Sequence, residues 1–411
     1  MNRDFFLEET DLTLDVVILL IAGLMMVMTG ILLFPVTRGA VPYYENGVYG
    51  LVLFLFALQI ILLGNTPFGD MKRSNPVLFA GLAVASAGIV TCFIPDIFSL
   101  FPAIVLFLCF TPGGAALLAH LFLAPDRFRA WARLGGIFHL LWIGCAAVYL
   151  LSMLMGVLVL NQGLLGGDET AFAVLAFGAA VLFLAMVMKR IYRAHPLPEE
   201  KESGNRTLSS DHSIILLTGI FMILLGILLV PVSLGMLPFA ASAQLGLLMV
   251  IMAFQMLSTG NTPIGPFRRT RLVIFCGILF SALGIISCII PGILVPLLTV
   301  LIGVLNIFGG VNGLRRTFSG LRKRGGNPVP PLLVRLNISQ AVLHLLSIMF
   351  GTSMLFPGLL PPILTGMILA ADGGVLLYLL HILILLENMA AAAVESPNTG
   401  ETARISQSPG S

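Results

Sequence analysis

Twelve long apolar runs, broken by short connections, constrain this chain more than any other feature of its sequence. They lie at about 14–35, 47–64, 76–94, 98–120, 134–159, 170–189, 213–231, 242–259, 272–290, 293–313, 334–356 and 373–391. Crossing roughly 30 Å of hydrocarbon takes about 17–25 helical residues. Helices are the only structure such runs can form in lipid, because barrel strands are short and alternating. Of the 411 residues, 10% are charged and 58% hydrophobic, where soluble domains carry about 25% charge. So few charges could not cover a water-facing exterior. Soluble enzymes, secreted disulfide scaffolds and disordered proteins are thereby excluded, and the expected fold is an all-α polytopic membrane protein of about twelve transmembrane helices. Pro35, Pro95, Pro231, Pro291 and Pro357 stand where runs end, positions at which a missing N–H costs least.

The basic residues set the expected topology. Even-numbered connections hold two, three, five, three and six Lys or Arg, or 19 of the 22 in the chain, while the odd connections hold Arg38 alone. Positive charge is retained in cytoplasmic loops, so both termini are expected in the cytoplasm and the location is the inner (cytoplasmic) membrane. The acidic leader MNRDFFLEETDLTLD, followed by a long run without a cleavage site, predicts a retained first span rather than a signal peptide. Apart from Asp15 at the edge of the first run and Glu387 near the inner end of the last, these boundaries place no Asp, Glu, Lys or Arg inside a run. Asp168 and Asp372 fall at the outer starts of runs six and twelve, where an acid suits a helix N-terminus.

An internal duplication organises the runs. GLMMVMTGILLFPV (23–36) matches GIFMILLGILLVPV (219–232) at an offset of 196. The same register carries Gln59 to Gln255, GNTPFG (64–69) to GNTPIG (260–265), Cys92 to Cys288 and Gly113–Gly114 to Gly309–Gly310. Beyond these, FHLL (138–141) answers LHLL (343–346) at 205, and Asp168 answers Asp372 at 204. A smaller unit also recurs: Gly23, Gly30 and Pro35 return as Gly81, Gly88 and Pro95, and Gly219, Gly226 and Pro231 as Gly277, Gly284 and Pro291. The expected architecture is two parallel six-helix repeats, each of three hairpins. The first repeat takes 1–192, a cytoplasmic linker 193–212, the second repeat 213–391 and a disordered tail 392–411. An even number of spans per copy makes the repeats parallel rather than inverted. Glycines seven apart share a helix face, which lets backbones approach where lipid removes the hydrophobic drive.

Several residues are candidates for function. Gln59 and Gln255 are polar amides inside spans, suited either to interhelical hydrogen bonds or to a shared pathway. His139, His344 and His381 also lie in spans, and the first two are expected at related places, as packing residues or as a proton-linked pair. Gly64, Asn65 and Pro67, with Gly260, Asn261 and Pro263, read as helix caps and turns or as hinges between moving bundles. The five cysteines show no metal or redox spacing, and small buried hydrophobes are their expected role. No catalytic, nucleotide or metal motif occurs in a credible context, so neither enzyme activity nor a cofactor is expected. The lipid bilayer is the expected partner, with a second copy or another membrane protein beside it, and a small solute only if the chain transports one. Nucleic acid is not expected, since the basic residues follow membrane boundaries instead of forming a groove.

The glycine-spaced, proline-ended hairpins, clearest in GILFSALGIISCIIPGILVPLLTVLIGVLNIFGGVNGL (277–314), resemble the bacterial HdeD-like acid-resistance membrane proteins. Residues 14–120 and 213–313 carry the likeness, and each half resembles one whole family member of about six spans. What the resemblance implies is an envelope or acid-stress role without a known reaction. Twelve spans in a six-plus-six arrangement, with GDMKR (69–73) and GPFRR (265–269) between spans two and three and spans eight and nine, more loosely resemble the major facilitator transporters. That likeness implies a solute pathway worked by rocking of the two repeats.

Overall fold

The computed structural model describes residues 12–123, 136–195, 209–323 and 330–405. Among them, twelve helices are long and apolar enough to cross a membrane. The first six are α1 (Leu14–Thr37), α2 (Glu45–Leu63), α3 (Asn75–Phe93), α4 (Phe101–Leu123), α5 (Ile137–Leu160) and α6 (Gly167–Ala194). The last six are α7 (Ser210–Ser233), α8 (Ala241–Thr259), α9 (Arg271–Ile289), α10 (Val295–Lys323), α11 (Pro331–Leu355) and α12 (Pro362–Ile405). Large apolar side chains such as Phe79, Phe122, Met186 and Phe308 stand outward, as a lipid-facing surface requires.

Eleven runs fall where composition places them, and the last does not. Its expected start was 373, yet α12 begins at Pro362. Pro361 and Pro362 mark a helix N-terminus rather than a loop, and the ADGG that reads as a turn lies inside the helix. The same helix continues past 392, where a disordered tail was expected, through the helix-favouring alanines 390–393. Most of the expected linker, 196–208, and the end of the tail, 406–411, lie outside the described residues.

The closest helix pairs are not the expected hairpins of first with second, third with fourth and fifth with sixth. α1 packs along α6, α2 along α3 and α4 along α5, with α7 on α12, α8 on α9 and α10 on α11 in the same pattern. The glycines explain this choice. A Cβ on Gly30 would lie 2.7 Å from the Leu175 backbone nitrogen, and one on Gly23 2.8 Å from the Leu182 side chain, so the α1 stripe is filled by α6. Gly88 and Gly284 are blocked at 2.9 and 2.6 Å by the carbonyls of Gly50 and Gly246. Gly81 and Gly277 meet Ile61 and Leu257, while Gly219 and Gly226 meet Leu377 and Ala370. Each helix docks backbone to backbone where its side chains vanish.

The two sets of six helices meet along a filled seam. α2 and α8 are the most enclosed spans, and one hydrophobic core runs through both sets. Two backbone bonds cross the seam at matched positions: Tyr44 N–H donates to Ile289 O and Ala240 N–H to Phe93 O, both at 2.9 Å. The Phe93 ring contacts Phe221 and Phe239 at 6.0 and 6.1 Å. Cys92 and Cys288 are fully buried there, and both thiols point at the Ala243 carbonyl, at 4.0 and 3.6 Å. Near the basic ends, Arg73 donates to Ser213 Oγ at 3.1 Å and Arg269 to Leu12 O at 2.9 Å.

Candidate functional site

Each GNTP segment folds as a cap followed by a miniature hairpin. Gly64 and Gly260 end α2 and α8 with φ of 71° and 73°, a left-handed geometry that favours glycine. Strand β1 (Asn65–Thr66) then pairs antiparallel with β2 (Gly69–Asp70), and β3 (Asn261–Thr262) with β4 (Gly265–Pro266). Thr66 and Thr262 hydroxyls close the turns, donating to Gly69 O and Gly265 O at 2.7 Å. The hairpin tips, at Pro67 and Pro263, press against Gly113 and Gly309, where no Cβ could fit. Asn312 anchors the second hairpin by donating to Ile264 O at 2.8 Å. These hairpins form part of the inner wall of two cavities, one in each set of helices. The sequence contained the turn residues but no strand signal, since a two-residue strand has no periodicity to read.

The larger cavity, of about 650 Å³, lies within the last six helices. α7 contributes Thr218, α8 Gln255, α10 Arg316, α11 Asn337, Gln340, His344 and Ser347, and α12 Asp372. The amide of Gln255 donates to Thr218 Oγ1 at 2.9 Å. Gly313 admits the His344 imidazole, which occupies the space a Cβ would take. Arg316 lies over the hairpin, its guanidinium 2.7 Å from where a Gly265 Cβ would be.

Asp372 is the residue that sequence reasoning misplaced. It stands ten residues inside α12, about 15 Å from that helix's start at 1.5 Å per residue. That is roughly the middle of a 30 Å hydrocarbon layer. Its neighbour Gly373 is jammed against Gly219 O and Ile223 of α7, which holds this stretch of helix in place. The Oδ1 atom is buried and accepts no hydrogen bond. A carboxylate at that depth is costly unless a cation or proton meets it. Asp168, by contrast, sits in the first turn of α6 as expected, accepting from Thr37 at 3.2 Å and facing Arg38 at 4.0 Å. Glu387, near the basic end, pairs with His212 at 3.3 Å.

Contacts also correct the expected pairing of the histidines. Gly178 packs on Val27 where Gly373 packs on Ile223, and Gly156 on Phe110 and Thr111 where Gly351 packs on Asn306 and Ile307. The offset after the fourth helix is therefore 195, not 204 or 205. Letter matches misled because FHLL and LHLL share residues without sharing contacts. By this register His344 corresponds to Tyr149, Asp372 to Phe177 and Ser347 to Ser152. His139 is exposed near the start of α5 and His381 is exposed on α12, so only His344 of the three lines the cavity.

Gln59 lines a different cavity, of about 250 Å³, within the first six helices. The two glutamines therefore do not face one shared pathway. The position matching Thr218 is Ala22, which offers Gln59 no hydroxyl. Tyr149, Ser152 and Phe177 line this cavity where His344, Ser347 and Asp372 line the other. Among the described residues, no three His, Cys, Asp or Glu side chains are grouped to hold a metal. No family model matches the chain, and no curated protein or solved structure matches it.

Proposed function

We propose that this chain binds a small zwitterionic solute in the chamber of the last six helices and carries it across the inner membrane, with both termini in the cytoplasm. In this reading the chain is two parallel six-helix repeats, supported by matched seam bonds and matched glycine contacts. The observation that carries the proposal is Asp372, an acid at mid-span depth facing a polar chamber with no protein partner on Oδ1. An ammonium group would satisfy that oxygen, while Arg316 at the mouth offers a forked donor to a carboxylate at the solute's other end. Neutral amides and hydroxyls fill the wall between them. The chamber lies inside one repeat rather than between two, so movement of helices around the second repeat, not rocking across the packed seam, would alternate access. No enzymatic step is part of this reading.

The test is a thermal-shift panel of amino acids, simple amines and neutral polyols on the purified protein. At least one zwitterion should stabilise the wild type, and Asp372→Asn should weaken its binding by about tenfold, the loss of one charge-assisted contact. Equal binding by Asp372→Asn, or a response to polyols alone, contradicts the proposal. Because Asp372 and His344 are both titratable and share the chamber, a stress role of the kind the HdeD-like resemblance implies is tested alongside. A deletion strain should lose acid tolerance, recovered by wild type and not by Asp372→Asn; unaltered tolerance removes that connection.

A further inference from the structure

The first six helices hold a second cavity above the one already described. It measures about 300 Å³ and opens at the opposite end of the helices, beside Tyr43, Glu45 and Gln162. Glu45 is the only acidic or basic side chain lining it, and Asp70 the only one lining the 250 Å³ cavity below, among the described residues. Glu45 is held in place: Tyr49 and Gln162 both donate to its Oε1, and Gln162 also approaches the Tyr49 hydroxyl at 3.4 Å. Between these mouths most of the lining is aliphatic or aromatic, with Thr29, Gln59, Ser152 and Thr170 as neutral polar exceptions.

The two cavities share Met26, Val52 and Phe110. Phe110 is therefore the partition. It is locked edge-on between Phe56 at 5.2 Å and Phe177 at 5.8 Å, with interplanar angles of 63° and 87°. An apolar constriction of this kind excludes water and small hydrated ions by dewetting. It does not exclude a cation with an apolar body, because aromatic rings attract positive charge and the aliphatic wall accepts the rest. An acid at each mouth, a mostly apolar lumen and an aromatic neck together select one chemistry.

We propose that the first six helices form a two-chamber conduit for amphipathic ammonium ions, with Glu45 as the outer recognition site and Phe110 as the gate. This path is separate from the zwitterion chamber and depends on none of its residues. Phenethylammonium is a suitable probe, since it couples an ammonium to a ring of a size the cavities accept. Wild-type protein should bind it saturably, Glu45→Gln should bind it about tenfold more weakly, and Asp372→Asn should bind it as wild type does. Neutral 2-phenylethanol, of nearly the same shape, should fail to compete, a comparison made on the unaltered protein that stands even if Glu45→Gln does not fold. In proteoliposomes Phe110→Ala should release trapped phenethylammonium several-fold faster than wild type. Absence of saturable binding, equal competition by the alcohol, or unchanged release from Phe110→Ala each overturns the proposal. So does a co-purified lipid acyl chain filling the cavities and blocking the probe.

Discussion

The first and last six helices agree in their backbones and disagree in their cavities. Where α4, α5 and α6 place Phe110, Tyr149 and Phe177, the register read from glycine contacts places Asn306, His344 and Asp372 in α10, α11 and α12. Around these substitutions the frame hardly changes. The caps at Gly64 and Gly260, the hairpins behind them and the seam bonds at Tyr44 and Ala240 recur in kind. The difference teaches that close backbone packing fixed the scaffold, leaving the side chains that face the cavities free to diverge. Aromatic side chains, Phe110 foremost, divide one interior into two smaller cavities; an imidazole and a carboxylate line a single larger and more polar one in the other.

The shared frame yields the largest expected effects. Gly88→Leu and Gly284→Leu would each drive a side chain into a facing carbonyl, so both should cost about 3 kcal/mol or more, the upper range for overpacking. Thermal unfolding in detergent measures this, and a large loss in one variant with none in the other would break the equivalence of the two frames. The glutamines should separate the cavities by a smaller margin. Gln255→Leu removes the partner of Thr218 and should cost about 1 kcal/mol, the worth of a typical hydrogen bond. Gln59→Leu, opposite Ala22, should be neutral or slightly stabilising, and an equal loss at both positions would place the same polar pairing in both halves. The smallest effect concerns the seam. Oxidation should join Cys92 to Cys288, whose thiols share the Ala243 carbonyl, with zwitterion binding unchanged. Loss of binding on cross-linking would mean that movement across the seam is needed after all.

Much of the frame was legible in the sequence because bilayer physics writes itself in composition. Run lengths and loop charges located eleven helices closely, and the gapless register from 23 to 114 pointed to contacts that recur at Gly88 and Gly284. The site was much less legible. Asp372 sits in LAADGGV, whose small residues and acid resemble a turn in sequence, yet Gly373 is where α12 meets α7. Small residues signal both loops and close helix packing, and only the contact distinguishes them. His344 was found by its chemistry but paired with the wrong partner, since identity of letters does not establish identity of position. The aromatic neck was not visible at all. Phe56, Phe110 and Phe177 are widely separated in sequence and ordinary in a membrane helix, so their convergence exists only in three dimensions.

The most direct test is water access at the two matched positions. Single cysteines at 372 and 177, in a background with the five native cysteines replaced by alanine or serine, would be exposed from the basic side to a membrane-impermeant anionic thiol reagent, which Arg316 attracts to the chamber and Asp70 repels from the conduit. With both proteins folded by gel filtration, Asp372→Cys should label rapidly and be protected by the bound zwitterion, and Phe177→Cys should stay unlabelled. Equal labelling of the two, or protection of Asp372→Cys in the absence of solute, would contradict a polar chamber confined to the last six helices.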